Sequence, residues 1–168
     1  MQNKGYHAVF LQKNCSMAHI QIDRTSGEFG FEAKDAGGHT VRMDSSPESG
    51  GLDFGVRPMQ MLLMGLGGCS GMDIISILHK QRQKVTGFSM SIDGERETGK
   101  EPALWQDIHM VFDLKGEIEP DKAKKACELS MDKYCSVAAT LRKSGGTITW
   151  EVKVNGVPTE SAAPKGRP

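Results

Sequence analysis

The sequence lacks an excess of charge of either sign, since lysine plus arginine and aspartate plus glutamate both total 21. Surfaces that bind nucleic acid normally carry a basic excess, so this balance argues against a nucleic-acid partner. No unbroken apolar run approaches the roughly 18 residues that span a bilayer, so we expect no membrane association. Residues 1–14 contain no apolar core typical of a secretory signal. We therefore expect a cytoplasmic protein whose four cysteines are reduced at rest.

Several catalytic and ligand-binding motifs are also absent. The cysteines, at positions 15, 69, 127 and 135, show no spacing typical of a zinc knuckle, and the five histidines are scattered, so we expect no metal site and no cofactor. No G-x-G-x-x-G loop follows a predicted strand, and no G-x-S-x-G nucleophile elbow occurs. These absences leave the thiols as the candidate chemical groups.

The first 43 residues contain short runs of alternating or β-branched apolar residues separated by turns, which predict a β-meander. Phe29 and Phe31 are two residues apart and are expected on one face of a strand. Residues 44–57 form a predicted loop, and loops of that length are often functional. The predicted strands are His7–Lys13, Met17–Asp23, Glu28–Lys34 and Thr40–Met43, with turns at Arg24–Gly27 and Asp35–Gly38.

A long helix is predicted from Pro58 to about Gln83, because proline suits the first helical position and the following residues are strongly apolar. Its first half is apolar nearly all round, which predicts a buried central helix. Four glycines lie inside it, at positions 65, 67, 68 and 71. Each glycine weakens a helix by up to about 1 kcal/mol relative to alanine, so we expect another element to approach the backbone closely there.

The remaining pattern predicts a hairpin, a second helix that opens at Pro120 with an apolar stripe running to Tyr134, a further helical turn or two, and a last strand. This order predicts an α+β fold with an antiparallel sheet. We expect one domain at residues 1–155 and a mobile, aperiodic tail at 156–168. The hairpin strands, the additional helical turns and the last strand are predicted at Val85–Glu97, Trp105–Leu114, Ser136–Lys143 and Thr147–Val154.

Two of the thiols have sequence surroundings that set them apart. The alternative to a chemical role for any free cysteine is a packing role in the core, because cysteine is among the most buried residue types. Glycine and serine flank Cys69 and leave room for a partner atom. Lys133 and Arg142 lie near Cys135 in the sequence, and a positive charge there would favour a thiolate. Asp73, one turn after Cys69, would disfavour a thiolate at that site.

A disulfide between Cys127 and Cys135 is incompatible with one straight helix. They are eight positions apart in the sequence, which corresponds to about 12 Å along the helix axis. That distance exceeds the roughly 7 Å limit between the Cα atoms of a disulfide. If the chain contains a working pair, Cys69 and Cys135 are the better candidates.

The segment PMQMLLMGLGGCSGMDI, followed about 65 residues later by KYCSVAATL, resembles the OsmC/Ohr family of thiol-dependent hydroperoxide reductases. The family's marks are a proline eleven residues before the first cysteine, a run of small residues into that cysteine, and a second cysteine in a C-P-V-like motif. The resemblance covers residues 5–155 and includes the strand WQDIHMVF.

The resemblance implies an intertwined homodimer in which antiparallel sheets wrap around two long central helices. It implies that Cys69 attacks the peroxide bond and becomes a sulfenic acid, and that Cys135 resolves it as a disulfide. A dithiol reductant of the lipoyl type would then restore both thiols. An apolar pocket would select organic hydroperoxides, in a role in oxidative stress defence.

The sequence departs from the family pattern at three places. In the peroxidase members a glutamate follows the helix-opening proline and holds an arginine next to the reactive thiol, whereas this chain has Met59 and then Gln60. Ser136 stands where the second motif usually has proline. The assisting arginine comes from the N-terminal β region or loop in the family, and the candidates here are Arg24, Arg42 and Arg57.

Two hypotheses of different classes follow. The first is a cysteine-based hydroperoxide reductase, with Cys69 and Cys135 as the redox pair and Arg24 or Arg42 as the assisting cation. The second is a non-enzymatic dimer of the same fold that binds an apolar small molecule or acts as a redox sensor. The loss of the acidic partner at Met59 motivates the second hypothesis.

Overall fold

The computed structural model describes residues 17–159, which divide between Arg57 and Pro58 into two compact units. The first unit contains three strands: β1 Ile20–Ser26, β2 Gly30–Asp35 and β3 Thr40–Met43. The second contains four strands and three α-helices: α1 Pro58–Lys80, β4 Lys84–Arg96, β5 Trp105–Glu117, α2 Pro120–Leu129, α3 Ser136–Lys143, β6 Thr147–Val154 and β7 Val157–Pro158. A 3₁₀ turn at Pro47–Ser49 and a π-helical turn at Ser130–Tyr134 complete the list. The α+β class predicted from the sequence is confirmed.

The first unit is an antiparallel sheet in the order β1-β2-β3. Its first turn lies at Gly27–Phe29 rather than at the predicted Arg24–Gly27, because Gly27 takes the positive φ of 53° that a tight turn favours. Phe29 therefore lies in the turn and does not share a strand face with Phe31. The predicted strand His7–Lys13 lies outside the described residues.

The long loop after β3 is organised by the buried carboxylate of Asp44. One of its oxygens accepts the backbone N–H of Ser45 at 2.7 Å, and the other accepts those of Leu52 and Phe54 at 2.8 and 3.0 Å. The hydrogen bond from Phe54 makes the largest contribution to a lowered pKa of Asp44, because it stabilises the ionised form. The residues between Asp44 and Phe54 thus fold around one anionic acceptor.

The second unit has a sheet in the order β4-β5-β6-β7. The predicted hairpin is confirmed, since β4 and β5 pair antiparallel. The expected all-antiparallel sheet is wrong for one pair: β6 runs parallel to β5, with Thr147 beside Asp107 and Val154 beside Leu114. The cause is the crossover through the helices, which returns the chain to the beginning of β5 before β6 starts.

The last described residues continue this sheet. Asn155 and Gly156 both adopt positive φ, 52° and 80°, as a two-residue type I′ hairpin turn requires. Strand β7 then pairs with β6, and the N–H of Thr159 donates to the carbonyl of Val152 at 2.8 Å. The boundary predicted between residues 155 and 156 therefore falls inside a hairpin. Residues 160–168 of the predicted tail lie outside the described residues.

Helix α1 ends three residues before the predicted Gln83. Arg82 adopts a left-handed φ of 59°, and the N–H of Gln83 reaches back to the carbonyl of Leu78 at 3.0 Å, which is a Schellman-type termination. The side-chain oxygen of Gln83 then accepts the N–H of Glu119 at 2.8 Å. This bond joins the end of α1 to the start of α2.

The close approach predicted at the helix glycines is confirmed for two of the four. A Cβ added to Gly67 would lie 2.9 Å from Ile92 Cδ1, and one added to Gly71 would lie 3.0 Å from Met90 Cε. Both neighbours belong to β4, so the glycines let α1 lie directly on the sheet. Within residues 17–159, no neighbour lies within 4 Å of an atom added to either of the other two, Gly65 and Gly68.

The prediction of an all-round buried α1 is wrong for the single chain. Leu62, Met64 and Met72 are 44%, 56% and 74% exposed, so the helix has an open apolar face. The helix is also long and apolar enough to cross a membrane, with a mean hydropathy of 1.7, although the core helix of a globular protein meets the same criterion. The helix nevertheless contains no unbroken apolar run of about 18 residues, because Gln60 and Asp73 interrupt it.

Candidate active site

Helix α1 supplies two of the groups that form the candidate site. Cys69 and Asp73 are four residues apart, so both side chains lie on the same face of the helix, at the edge between its buried and open sides. Both are half-buried. The site is thus accessible to solvent from one side and bounded by protein on the other.

The third group comes from a break in the second helical region. A continuous helix was predicted from Pro120 to Tyr134, but α2 ends at Leu129 and the next five residues form a π-helical turn. The chain leaves this turn at Cys135, whose backbone is extended, with φ −69° and ψ 103°. π-Helical turns are rare and frequently occur at functional sites. This turn redirects the chain so that Cys135 is the N-cap of α3 instead of a further residue of α2.

The cations predicted to lie near Cys135 have other partners. The guanidinium of Arg142 donates to the carbonyl of Met131 inside the π-helical turn and lies 4.0 Å from the Asp132 carboxylate. The ammonium of Lys133 lies over the ring of Tyr134, 5.3 Å from its centroid. Arg142 therefore gives the Met131 carbonyl a hydrogen-bond donor, which stabilises the π-helical turn.

The π-helical turn brings Cys135 to α1. The sulfur atoms of Cys69 and Cys135 and a carboxylate oxygen of Asp73 all lie within 4.8 Å of one another. Both thiols are free, and a disulfide needs the sulfurs to close to about 2.05 Å, a movement that side-chain rotation and small backbone shifts can supply. The prediction that Cys69 and Cys135 lie near each other is confirmed.

Burial controls the protonation of Cys135, which is only 3% exposed. Burial first, and then its hydrogen bond to Cys69, raise the pKa of Cys135 to about 11, while the Ala138 N–H at 3.4 Å opposes this rise. Cys135 is therefore a protonated thiol near neutral pH and can donate its S–H to the Cys69 sulfur. That is the state expected of a resolving cysteine before Cys69 is oxidised.

Ser130 is a member of the site that the sequence pattern did not single out. Its fully buried hydroxyl lies 3.2 Å from Asp73 Oδ2 and 3.3 Å from the carbonyl of Ser70, and its one proton serves these two acceptors. The only signal in the sequence was a small polar residue on a buried helical stripe, and that signal also fits simple packing. Ser130 connects the π-helical turn to α1 and orients the Asp73 carboxylate.

Cys127 takes no part in this cluster. Cys127 is fully buried in the core of the second unit, and burial strongly raises its pKa, so it behaves as a small apolar side chain. Cys15 lies outside the described residues.

The predicted arginines belong to the first unit. Arg24 is an exposed residue of β1. Arg42, on β3, pairs with Glu32 at 3.3 Å and lies 4.9 Å from the ring centroid of Phe54. Arg57 lies close enough to Asp44 and Glu48 for its charge to help lower the pKa of both carboxyl groups. Assistance of Cys69 by Arg24 or Arg42 stays a prediction.

The position after the helix-opening proline has a structural role. The carbonyl of Met59 accepts the indole N–H of Trp105 at 3.0 Å, and the Met59 side chain packs at the edge of the core. This contact joins the start of α1 to β5. The carboxylate of the candidate site therefore comes from Asp73, one turn after the reactive cysteine, and not from the residue after Pro58.

The raised pKa of Cys135 predicts slow alkylation in the folded protein. With a pKa of about 11, about one Cys135 in a thousand is a thiolate at pH 8, against about one in four for an ordinary thiol. We expect iodoacetamide to modify Cys135 at least about 100-fold more slowly in the native protein than in urea, measured by peptide mass spectrometry. The native rate should keep rising with pH towards 11, and a plateau near pH 8.5 would contradict the assignment.

Comparison with known proteins shows the family and the fold. The sequence profile of the family described as OsmC-like protein matches residues 49–151. Protein YhfA of Escherichia coli K12 is 40% identical over 115 residues, which cover 68% of this chain and 82% of that protein. A hypothetical protein from Aquifex aeolicus has a solved structure with a TM-score of 0.68 at 31% identity, covering 83% of this chain and 98% of that one.

A more distant solved structure has the same fold. It is an organic hydroperoxide resistance protein OsmC from Legionella pneumophila, with a TM-score of 0.60 at 15% identity, covering 84% of this chain and 98% of that one. At this identity the likeness concerns the fold alone. The profile match and the identity to YhfA establish the family: the chain belongs to the OsmC-like proteins.

Proposed function

We propose that this protein is a two-cysteine thiol peroxidase that reduces organic hydroperoxides in the cytoplasm. The observation that carries the proposal is the convergence of the Cys69 and Cys135 sulfurs within 4.8 Å, with one half-buried and the other buried. An accessible thiol beside a protected one is the arrangement that a reactive and a resolving cysteine need. Organic hydroperoxides as the substrate class are what the family resemblance implies, and the Legionella protein of the same fold carries the name organic hydroperoxide resistance protein.

The first step is oxidation of Cys69. Its thiolate attacks the terminal oxygen of the hydroperoxide, the O–O bond breaks, and the alkoxide takes a proton and leaves as the alcohol. Cys69 becomes a sulfenic acid, oxidised by two electrons. An arginine from the N-terminal region, Arg24 or Arg42, would stabilise the thiolate, as the family resemblance implies.

The second step is resolution by Cys135. Its sulfur attacks the sulfur of the Cys69 sulfenic acid, the S–S bond forms, and hydroxide leaves as water with the proton that Cys135 loses. The Asp73 carboxylate, within 4.8 Å of both sulfurs, is a base that one water molecule can connect to Cys135. A dithiol of the lipoyl type then reduces the disulfide and is itself oxidised to the cyclic disulfide.

The open face of α1 favours an apolar substrate. Met72 lies three residues after Cys69 and Leu62 lies seven residues before it, so these two side chains flank the thiol on the helix surface. Gly65, four residues before Cys69, has no side chain and leaves space beside the thiol. An alkyl or aryl group can contact the part of this apolar surface beside the thiol that a dimer would leave open, whereas hydrogen peroxide gains nothing from it.

A stoichiometric oxidation tests the proposal. Reduced protein treated with a slight excess of cumene hydroperoxide should lose two thiols per chain and yield a Cys69–Cys135 disulfide by peptide mapping. Cys135→Ser should stop at a sulfenic acid that dimedone traps, and Cys127→Ser should behave as the parent does. Survival of all four thiols would contradict the proposal.

The same open face is the surface through which we expect the chain to form its homodimer. Its exposed Leu62, Met64 and Met72 would leave water on association, and Gly65 and Gly68 would let a second backbone approach closely.

Charge placed on this face should therefore dissociate the dimer. Met72→Glu should shift the mass measured by light scattering from the dimer to the monomer, because a buried unpaired carboxylate opposes association. Ser89→Glu places the same charge on an exposed position of β4 and should leave the dimer intact. A parent chain that is monomeric at micromolar concentration would contradict the expectation.

A second candidate function is a redox sensor on the same fold. Two observations favour it: Met59 replaces the family's glutamate, and the Asp73 carboxylate lies beside the thiols, where it opposes a second negative charge. A sensor would form the same disulfide once and slowly. Repeated consumption of hydroperoxide with dihydrolipoamide identifies the peroxidase, and a single turnover identifies the sensor.

A further inference from the structure

We propose that the reduced site is also a binding site for a thiophilic divalent metal ion of the Zn²⁺ class, held by Cys69, Asp73 and Cys135. This inference concerns a second ligand of the same cluster and does not require peroxidase activity. Among the described residues, this cluster brings together two cysteine sulfurs and a carboxylate oxygen within 4.8 Å of one another.

The spacing suits tetrahedral coordination. Zinc binds thiolate sulfur at about 2.3 Å and carboxylate oxygen at about 2.0–2.2 Å, which places two ligating sulfurs about 3.8 Å apart. Donor atoms already within 4.8 Å of one another need only small side-chain movements to reach such positions. Cys69 and Asp73 are half-buried, so the solvent side is available for a water molecule or thiol as the fourth ligand.

Groups around the cluster support the ligands in the way that outer-shell groups support metal sites. The Ser130 hydroxyl lies 3.2 Å from Asp73 Oδ2 and can hold the carboxylate in one orientation. The backbone N–H of Ala138 donates to Cys135 Sγ at 3.4 Å and can offset negative charge on that sulfur. Both groups belong to the segment that includes the π-helical turn and the start of α3.

The donor set selects the class of metal. Two thiolates disfavour hard cations such as Mg²⁺ and Ca²⁺, which take oxygen ligands, while the carboxylate and the tetrahedral spacing suit Zn²⁺. Metal binding would release the proton of the Cys135 thiol to solvent, and the bound cation would attract the resulting thiolates and the Asp73 carboxylate, which otherwise repel one another. Cysteine spacing in the sequence did not indicate this set, since 65 residues lie between Cys69 and Cys135.

The test uses the full-length reduced chain with Cys15→Ser and Cys127→Ala, so that the two site thiols alone remain. Titration with Co²⁺ should give one equivalent bound, with thiolate-to-cobalt charge transfer and the intense visible bands of tetrahedral Co²⁺, and Zn²⁺ should displace it. Cys69→Ser should weaken binding at least about 100-fold and Asp73→Asn at least about tenfold, because loss of an outer-shell partner alone costs about 10- to 100-fold and these residues are proposed as direct ligands. Asp121 is an exposed carboxylate of α2, and the matched control Asp121→Asn should leave the affinity for Co²⁺ unchanged.

Prior oxidation of the two thiols with diamide should abolish binding, and bound Zn²⁺ should slow disulfide formation. Circular dichroism of each variant verifies its fold, and Asp73→Asn preserves the shape of the side chain. Failure to bind one equivalent, or octahedral binding that Cys69→Ser and Asp73→Asn leave unchanged, would overturn the proposal. Metal binding without hydroperoxide consumption would refute the proposed peroxidase and leave the metal site intact. Hydroperoxide consumption without metal binding would refute the metal site and leave the proposed peroxidase intact.

Discussion

The seating of helix α1 on strand β4 fixes the position of the groups that α1 gives to the candidate site. Gly67 and Gly71 remove the side chains that would hold the helix away from Ile92 and Met90. With the helix in that position, the face that carries Cys69 turns away from the sheet and toward the segment that follows α2. The weak helix propensity of these two glycines is the cost of this approach, and burial of Leu66, Ile74 and Leu78 on the same helix offsets it.

Against this fixed helix, the π-helical turn decides whether the two thiols meet. A regular helix through residues 130–134 would have carried the chain past α1, whereas the wider turn ends in an extended residue and places Cys135 opposite Cys69. Two interactions stabilise the turn: the Arg142 guanidinium donates a hydrogen bond to the Met131 carbonyl, and the Ser130 hydroxyl donates to α1. The same five residues thus break the helix and create the site.

The chemistry of the pair follows from its unequal surroundings. Cys135 is buried and stays protonated, while Cys69 lies at the edge of an apolar surface that is open in the single chain. Asp73 is the unusual element, because a carboxylate beside two thiols opposes ionisation of either one unless a cation or a proton balances it. We propose two roles for this carboxylate. It can accept a proton during disulfide formation, and it can bind a divalent cation together with the two thiols.

Local patterns in the sequence predicted several elements closely, and the misses have physical causes. Thr40–Met43, Ser136–Lys143 and Thr147–Val154 match their predicted bounds because alternation or helical spacing ends there at clear turn residues. The π-helical turn was missed because its buried residues continue the helical stripe of α2, and the parallel pairing of β6 depends on the path of the whole crossover. The candidate pair of Cys69 and Cys135 came from their sequence surroundings and from the exclusion of a Cys127–Cys135 bridge, and the family resemblance gave the two cysteines their roles. The place of Ser130 in the site depends on tertiary packing that no local pattern encodes.

The most direct test of the juxtaposition of Cys69 and Cys135 is a thiol–disulfide equilibrium in a glutathione redox buffer, with each cysteine followed by mass spectrometry. A pair held within one folded unit should form an intramolecular Cys69–Cys135 disulfide in preference to mixed disulfides with glutathione, because the second thiol is already in place. Glutathione attached to Cys69 while Cys135 stays reduced, or a disulfide between two chains, would contradict this arrangement of the site.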